Sequence, residues 1–206
     1  MKMRNSKKFS SRKSMQGATI IEVMVSVLLL TFGVLALMAA QIRSVASVTE
    51  AENRSIISQA AEALAEGMQI NSTLSKQNVN GQQMYVHSYE NYKLGEVQKL
   101  TLKAGSKQPE PKKDASLSKE DLAKQYLDEF EYVLQSQVPN VSNISYIICN
   151  DKEGADAPTM SDTGVMDGKC TNGRTTTIKV AWRMRGANGT ENPESPVYTY
   201  TLQVAN

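Results

Sequence analysis

The stretch QGATIIEVMVSVLLLTFGVLALMAAQ, residues 16–41, decides the fold. From Val23 to Ala40 it runs 18 residues with only Ser26, Thr31 and Gly33 interrupting the apolar pattern. That is close to the roughly 20 helical residues that cover the hydrocarbon layer of a bilayer. Glu22 stands at the start of this run. A carboxylate deep in a membrane helix costs roughly 2.5–3.5 kcal/mol on insertion scales, so such a residue needs a named partner.

Upstream of the run the first 17 residues carry Lys2, Arg4, Lys7, Lys8, Arg12 and Lys13 and no acid. The whole chain has 23 Lys+Arg against 21 Asp+Glu; without those six cations the balance is 17 against 21, or −4. The basic character therefore belongs to the leader, and a basic surface built for nucleic acid is not implied. Three devices start this way. A secretory signal has an apolar part of about 7–15 residues and a small-x-small cut; this run is longer, and its best site is the weak SVA ending at Ala46. An uncleaved signal anchor fits the length and leaves Glu22 unexplained. The third device is cleavage after Gly17. It creates a cationic amine on Ala18, four residues before Glu22 on the same helical face, so processing itself supplies the carboxylate's partner. An acid in the first turn also suits the positive end of the helix dipole.

Gly17, Ala18, Glu22 and the unbroken apolar run together resemble the type IV pilins and their minor-pilin relatives. Further phrases resemble the PilV-type minor pilins in particular: RSVASVTEAE, EGM at Glu66 to Met68, YIICND at Tyr146 to Asp151, APTMSDTG at Ala157 to Gly164, TTTIKVAWR and VYTYTLQV. Residues from about 71 to 117 carry little of the likeness. The mature chain would begin with Ala18, where many major pilins have Phe, a departure that favours a minor component; the run also lacks the helix-breaking proline common in major pilins, and only Gly33 weakens it. The resemblance implies cutting between Gly17 and Ala18 by prepilin peptidase and N-methylation of Ala18. It also implies assembly through Glu22 beside the major pilin and other minor pilins, by the inner-membrane assembly machinery, and adhesion to host cells.

Beyond the membrane run, Ile42, Val45, Ala46, Thr49, Ile56, Ala60, Leu64 and Met68 recur at three- and four-residue steps, which predicts one buried helical stripe. A single helix from residue 18 to 70 would be roughly 78 Å long; two helices broken between Gln41 and Glu52 are the other reading. Residues 71–117 read as a long connection with two short strands, QMYVHSY and VQKLTL. A second helix follows, because Ser118 stands at cap spacing from Asp121 and Leu122, Tyr126, Leu127, Phe130, Val133, Leu134 and Val138 share a face before Pro139. NISYIIC, TTTIKVAWRM and VYTYTLQV read as strands, the last two joined through the turn-rich GANGTENPESP. The two cysteines, Cys149 and Cys170, flank a Gly- and Pro-containing loop in a half expected outside the cytoplasm. They read as a disulfide, with two unpaired thiols as the other reading.

Catalytic chemistry is not expected. His87 is the single histidine, without a Ser-His-Asp set, a metal-spaced His/Cys cluster or a phosphate-binding glycine loop, so neither cofactor nor metal is expected. Tyr85, Tyr89, Tyr92, Trp182 and Tyr198 read as core or cross-strand aromatics rather than ligand-stacking groups. Asn-x-Ser/Thr matches at Asn71, Asn140, Asn143 and Asn188 carry little weight. Lys179, Arg183 and Arg185 share one strand parity and predict a common, solvated face; contact with DNA is the alternative for that face. The expected architecture is α+β, with the type IV pilin fold implied by the resemblance. It comprises a basic leader at 1–17, a transmembrane and assembly half of the first helix at 18–41, and a periplasmic or extracellular domain at 42–206. The competing functions are a DNA-binding pilin and a signal-anchored periplasmic domain that never enters a filament.

Overall fold

The computed structural model describes residues 19–204 apart from 80, 104, 106, 112–116, 153, 155, 187–188, 191–192 and 194. The fold is α+β. Among the described residues the first element is a helix, α1 (Ile20–Ile70), which runs without a break. It is followed by a hairpin of β1 (Thr73–Val79) and β2 (Gln82–Ser88), a 3-10 turn at Glu90–Tyr92, and β3 (Gln98–Leu100). Then come α2 (Lys119–Ser136), β4 (Val141–Asp151), the short β5 (Thr159–Met160) and β6 (Met166–Asp167), β7 (Thr175–Met184) and β8 (Val197–Val204). The main sheet has the order β3-β4-β7-β8, every neighbour antiparallel.

The chain divides into two compact units, residues up to Ala46 and from Ser47 onward. In the second unit, α1 buries Asn53, Ile57, Ala61, Leu64, Ala65, Gly67 and Met68. The expected stripe therefore holds at Leu64 and Met68 and is corrected before them. Ile42, Val45 and Ala46 are exposed, Ile56 and Ala60 are half-buried, and the buried line passes through Asn53. A polar residue holds that place because its amide donates to Met184 Sδ at 2.9 Å, so a hydropathy pattern reads the helix about one residue out of phase between Asn53 and Ala61, where Ile57 and Ala61 are buried in place of Ile56 and Ala60. Gly67 faces α2: a Cβ there would meet the Tyr126 ring at 3.0 Å, so the missing side chain sets how closely the helices pack. Ser118 caps α2, its Oγ accepting from Asp121 N at 3.0 Å, which satisfies an orphan donor of the first turn.

Alternation along the strands sorts the sheet's two faces. Ile144, Tyr146 and Ile148 of β4 and Ile178, Val180 and Trp182 of β7 join the large core with the buried residues of α1 and α2. Ile147, Cys149 and Ala181 point the other way and form a smaller core with Met160 and Met166. The sheet is thus sandwiched between helices and the segment that contains β5 and β6. In the region read as a long connection, β1 is a strand that the polar sequence TLSKQNV did not announce. It pairs with β2 around Gly81, whose φ of +82° suits a turn glycine.

Candidate functional site

The first unit is defined by its surface. Every residue from Thr19 to Ala46 is exposed, and the large apolar side chains from Ile20 to Val45 are between 44 and 81 % exposed. The run reaches a mean hydropathy of 2.5 over 18 residues, enough to cross a membrane. Its interior polar groups are spent on the helix: Ser26 Oγ donates to Glu22 O at 2.7 Å, and Thr31 Oγ1 donates to Val27 O. Such back-bonding is how hydroxyls survive in hydrocarbon. Glu22 differs. It lies in the first turn of α1, and among the described residues its carboxylate has no partner. The proposed cleavage and methylation at Gly17 and Ala18 lie outside the described residues.

In the second unit Cys149 and Cys170 form a disulfide, with Cα atoms 6.2 Å apart and a separation of 21 residues. Closing a loop of this size stabilises by about 3 kcal/mol, chiefly through the unfolded chain. Beside it lies the feature that overturns an expectation. Lys179 and Arg183 do share a face, as their parity requires, but that face is covered by the 152–170 segment. Lys179 is fully buried and paired with the equally buried Asp151. Its ammonium also donates to Asp156 O at 2.9 Å, Gly168 O at 2.9 Å and Lys169 O at 3.2 Å. Arg183, 3 % exposed, donates to Pro193 O and, at 3.2 Å, to Ser161 O. Arg185 alone of the three is exposed, and its Nε donates to Val141 O at 2.9 Å. The solvated basic face does not exist, because two of its three cations are spent on internal acceptors, and the geometry for a shared phosphate contact goes with it.

Asp151 is the partner that the sequence reading missed. Its Oδ1 accepts from Lys152 N at 3.0 Å, Thr171 N at 3.2 Å and the Thr171 hydroxyl. Gly173 follows closely, and a Cβ there would stand 2.1 Å from Asp151 O, so no larger residue fits without moving the main chain. The available signal was Lys179 itself, a charge between Ile178 and Val180 in the middle of the strand TTTIKVAWRM, since buried charges are paired. Burial raises the Asp151 carboxyl, but the Lys179 and Thr171 side chains and the Lys152 amide outweigh it and hold the pKa below its ordinary 3.8. A carboxyl lowered in the fold stabilises above its unfolded pKa and loses that contribution as pH falls through the folded value. Below about pH 4 the melting temperature of the protein in detergent should therefore fall, and the fall should be shallower in Asp151→Asn. Parallel pH profiles would show the carboxyl to be unimportant.

The aromatic expectations resolve individually. Tyr89 and Tyr92 are buried, and Trp182 stacks on its cross-strand neighbour Tyr198 at 5.9 Å. Tyr85 is exposed, with the Lys76 ammonium 5.5 Å from its ring centroid across the hairpin. His87 Nδ1 meets Ser72 Oγ at 2.7 Å. Among the described residues no group of three or more His, Cys, Asp or Glu side chains is placed to hold a metal. No protein-family model matches the chain, and comparisons with curated proteins and with solved structures find no match.

Proposed function

We propose that the chain is a minor pilin subunit of a type IV pilus, with the type IV pilin fold. Prepilin peptidase cuts it between Gly17 and Ala18 in the inner membrane, Ala18 is N-methylated, and α1 then exchanges lipid for the helices of the major pilin and other minor pilins. The domain after residue 41 faces solvent on the fibre and modulates adhesion to host cells. The observation that carries this reading is Glu22, a carboxylate without a partner among the described residues, set in the first turn of α1, whose apolar N-terminal half is exposed throughout. A tether needs the length and the hydropathy; it has no use for the acid. In the cleaved chain, the new amine gives the acid a partner in its own chain or in a neighbour, and methylation leaves that charge in place.

Shearing pili from cells and fractionating them tests the proposal. The protein should co-purify with the fibre, and mass spectrometry should find a mature chain that starts at methylated Ala18. A chain that keeps Met1 and remains with the membrane is a signal-anchored domain, and the proposal is then wrong.

A further inference from the structure

We infer that the 152–170 segment is clamped to the sheet by the buried cations of β7, and that this clamp holds independently of the Cys149–Cys170 disulfide. The inference rests on where the acceptors come from. The disulfide joins the returning end of the segment to β4 at a single point, Cys170. The Lys179 ammonium draws in both ends at once: Asp156 O from the outgoing end, Gly168 O and Lys169 O from the returning end, and the Asp151 carboxylate from the end of β4. Arg183 takes Ser161 O near the tip, 3.2 Å away. The other oxygen of Asp151 holds the amides of Lys152 and Thr171 and so fixes both hinges of the segment.

An ammonium that accepts nothing and donates in several directions suits this task, since carbonyls from separate turns can converge on it. Burial makes the arrangement cooperative. Withdrawing the cation leaves a carboxylate and three carbonyls aimed at an empty volume, a far larger penalty than losing a surface pair. Withdrawing the disulfide leaves each of those bonds intact. Met160 and Met166, packed with Ile147 and Ala181 beneath the segment, would still be covered.

Hydrogen exchange on the full chain in detergent micelles tests this. In wild type reduced with dithiothreitol, peptides spanning 152–169 should keep their protection within about twofold, because the opening of a segment follows its own remaining contacts. In Lys179→Met, which retains the stem volume but not the charge, the same peptides should exchange at least about tenfold faster with the disulfide still closed, as expected when one member of a buried pair is lost. Loss of protection on reduction would overturn the inference, and so would wild-type protection in Lys179→Met. Peptides from β3 and β8 report whether the variant remains folded; if it does not, the reduced wild type alone decides.

Discussion

Replacing Glu22 by alanine is expected to leave the chain membrane-inserted and cleaved, yet to lower its share in sheared pili by at least about tenfold, the equivalent of 1.4 kcal/mol. The two halves of that expectation have opposite signs. Insertion should be unimpaired or eased, since a carboxylate at the edge of an apolar run costs less than the roughly 2.5–3.5 kcal/mol of one at a helix centre, and its removal relieves that smaller cost. Assembly should suffer, because the α-amine left by cleavage would enter a bundle of apolar helices without a counter-charge, and an unpaired buried charge is strongly unfavourable. Only a carboxylate that acts after insertion gives this pattern. Glu22→Gln separates charge from shape: it keeps the volume and one acceptor and should fail nearly as badly as alanine. Immunoblots of sheared-pilus and membrane fractions, normalised to total protein, measure it. Equal incorporation of wild type and Glu22→Ala would remove the assigned role.

How far the sequence reaches differs from one element to the next. Strands β7 and β8 were legible to the residue because TTTIKVAWRM and VYTYTLQV alternate and are bounded by turn residues, so a local signal suffices. The helix phase was legible only in part. Asn53 sits on the buried line through a partner on β7, Met184, 131 residues away, and hydropathy cannot reveal which polar side chain will find such a partner. The parity of Lys179 and Arg183 was correct and the conclusion drawn from it was not. Deciding whether a face is wet requires knowing what covers it, and the cover is a loop with two short strands and little periodicity of its own. Strand β1 was hidden for a related reason. TLSKQNV lacks the apolar alternation of a half-buried strand because its hairpin adds little to the core. Glu22 needs no tertiary information to be noticed, since a charge at the edge of an apolar run stands out in the sequence itself.

Trp182→Ala should be the most damaging single change in the second unit, costing about 3–5 kcal/mol of stability as large aromatic truncations in a core do. The side chain is fully buried and is the largest in the core. It lies between Ile144 on β4 and Tyr198 on β8 by strand pairing, stacks on Tyr198 at an interplanar angle of 22°, and has the Arg54 guanidinium of α1 6.0 Å from its ring centroid. One ring therefore ties two neighbouring strands and the helix together, and truncation removes all three contacts and opens a cavity that the flanking strands cannot close. Trp182→Phe distinguishes packing from polarity. The indole Nε1 is buried without a hydrogen-bond partner among the described residues, so its removal forfeits no bond, and phenylalanine should cost only about 1–2 kcal/mol through lost volume. The chain has one tryptophan, and its fluorescence disappears in both variants. Denaturant-dependent hydrogen exchange of β4 and β8 peptides in micelles is the suitable readout. A loss below about 1 kcal/mol for alanine would mean that the sheet and α1 are held together elsewhere.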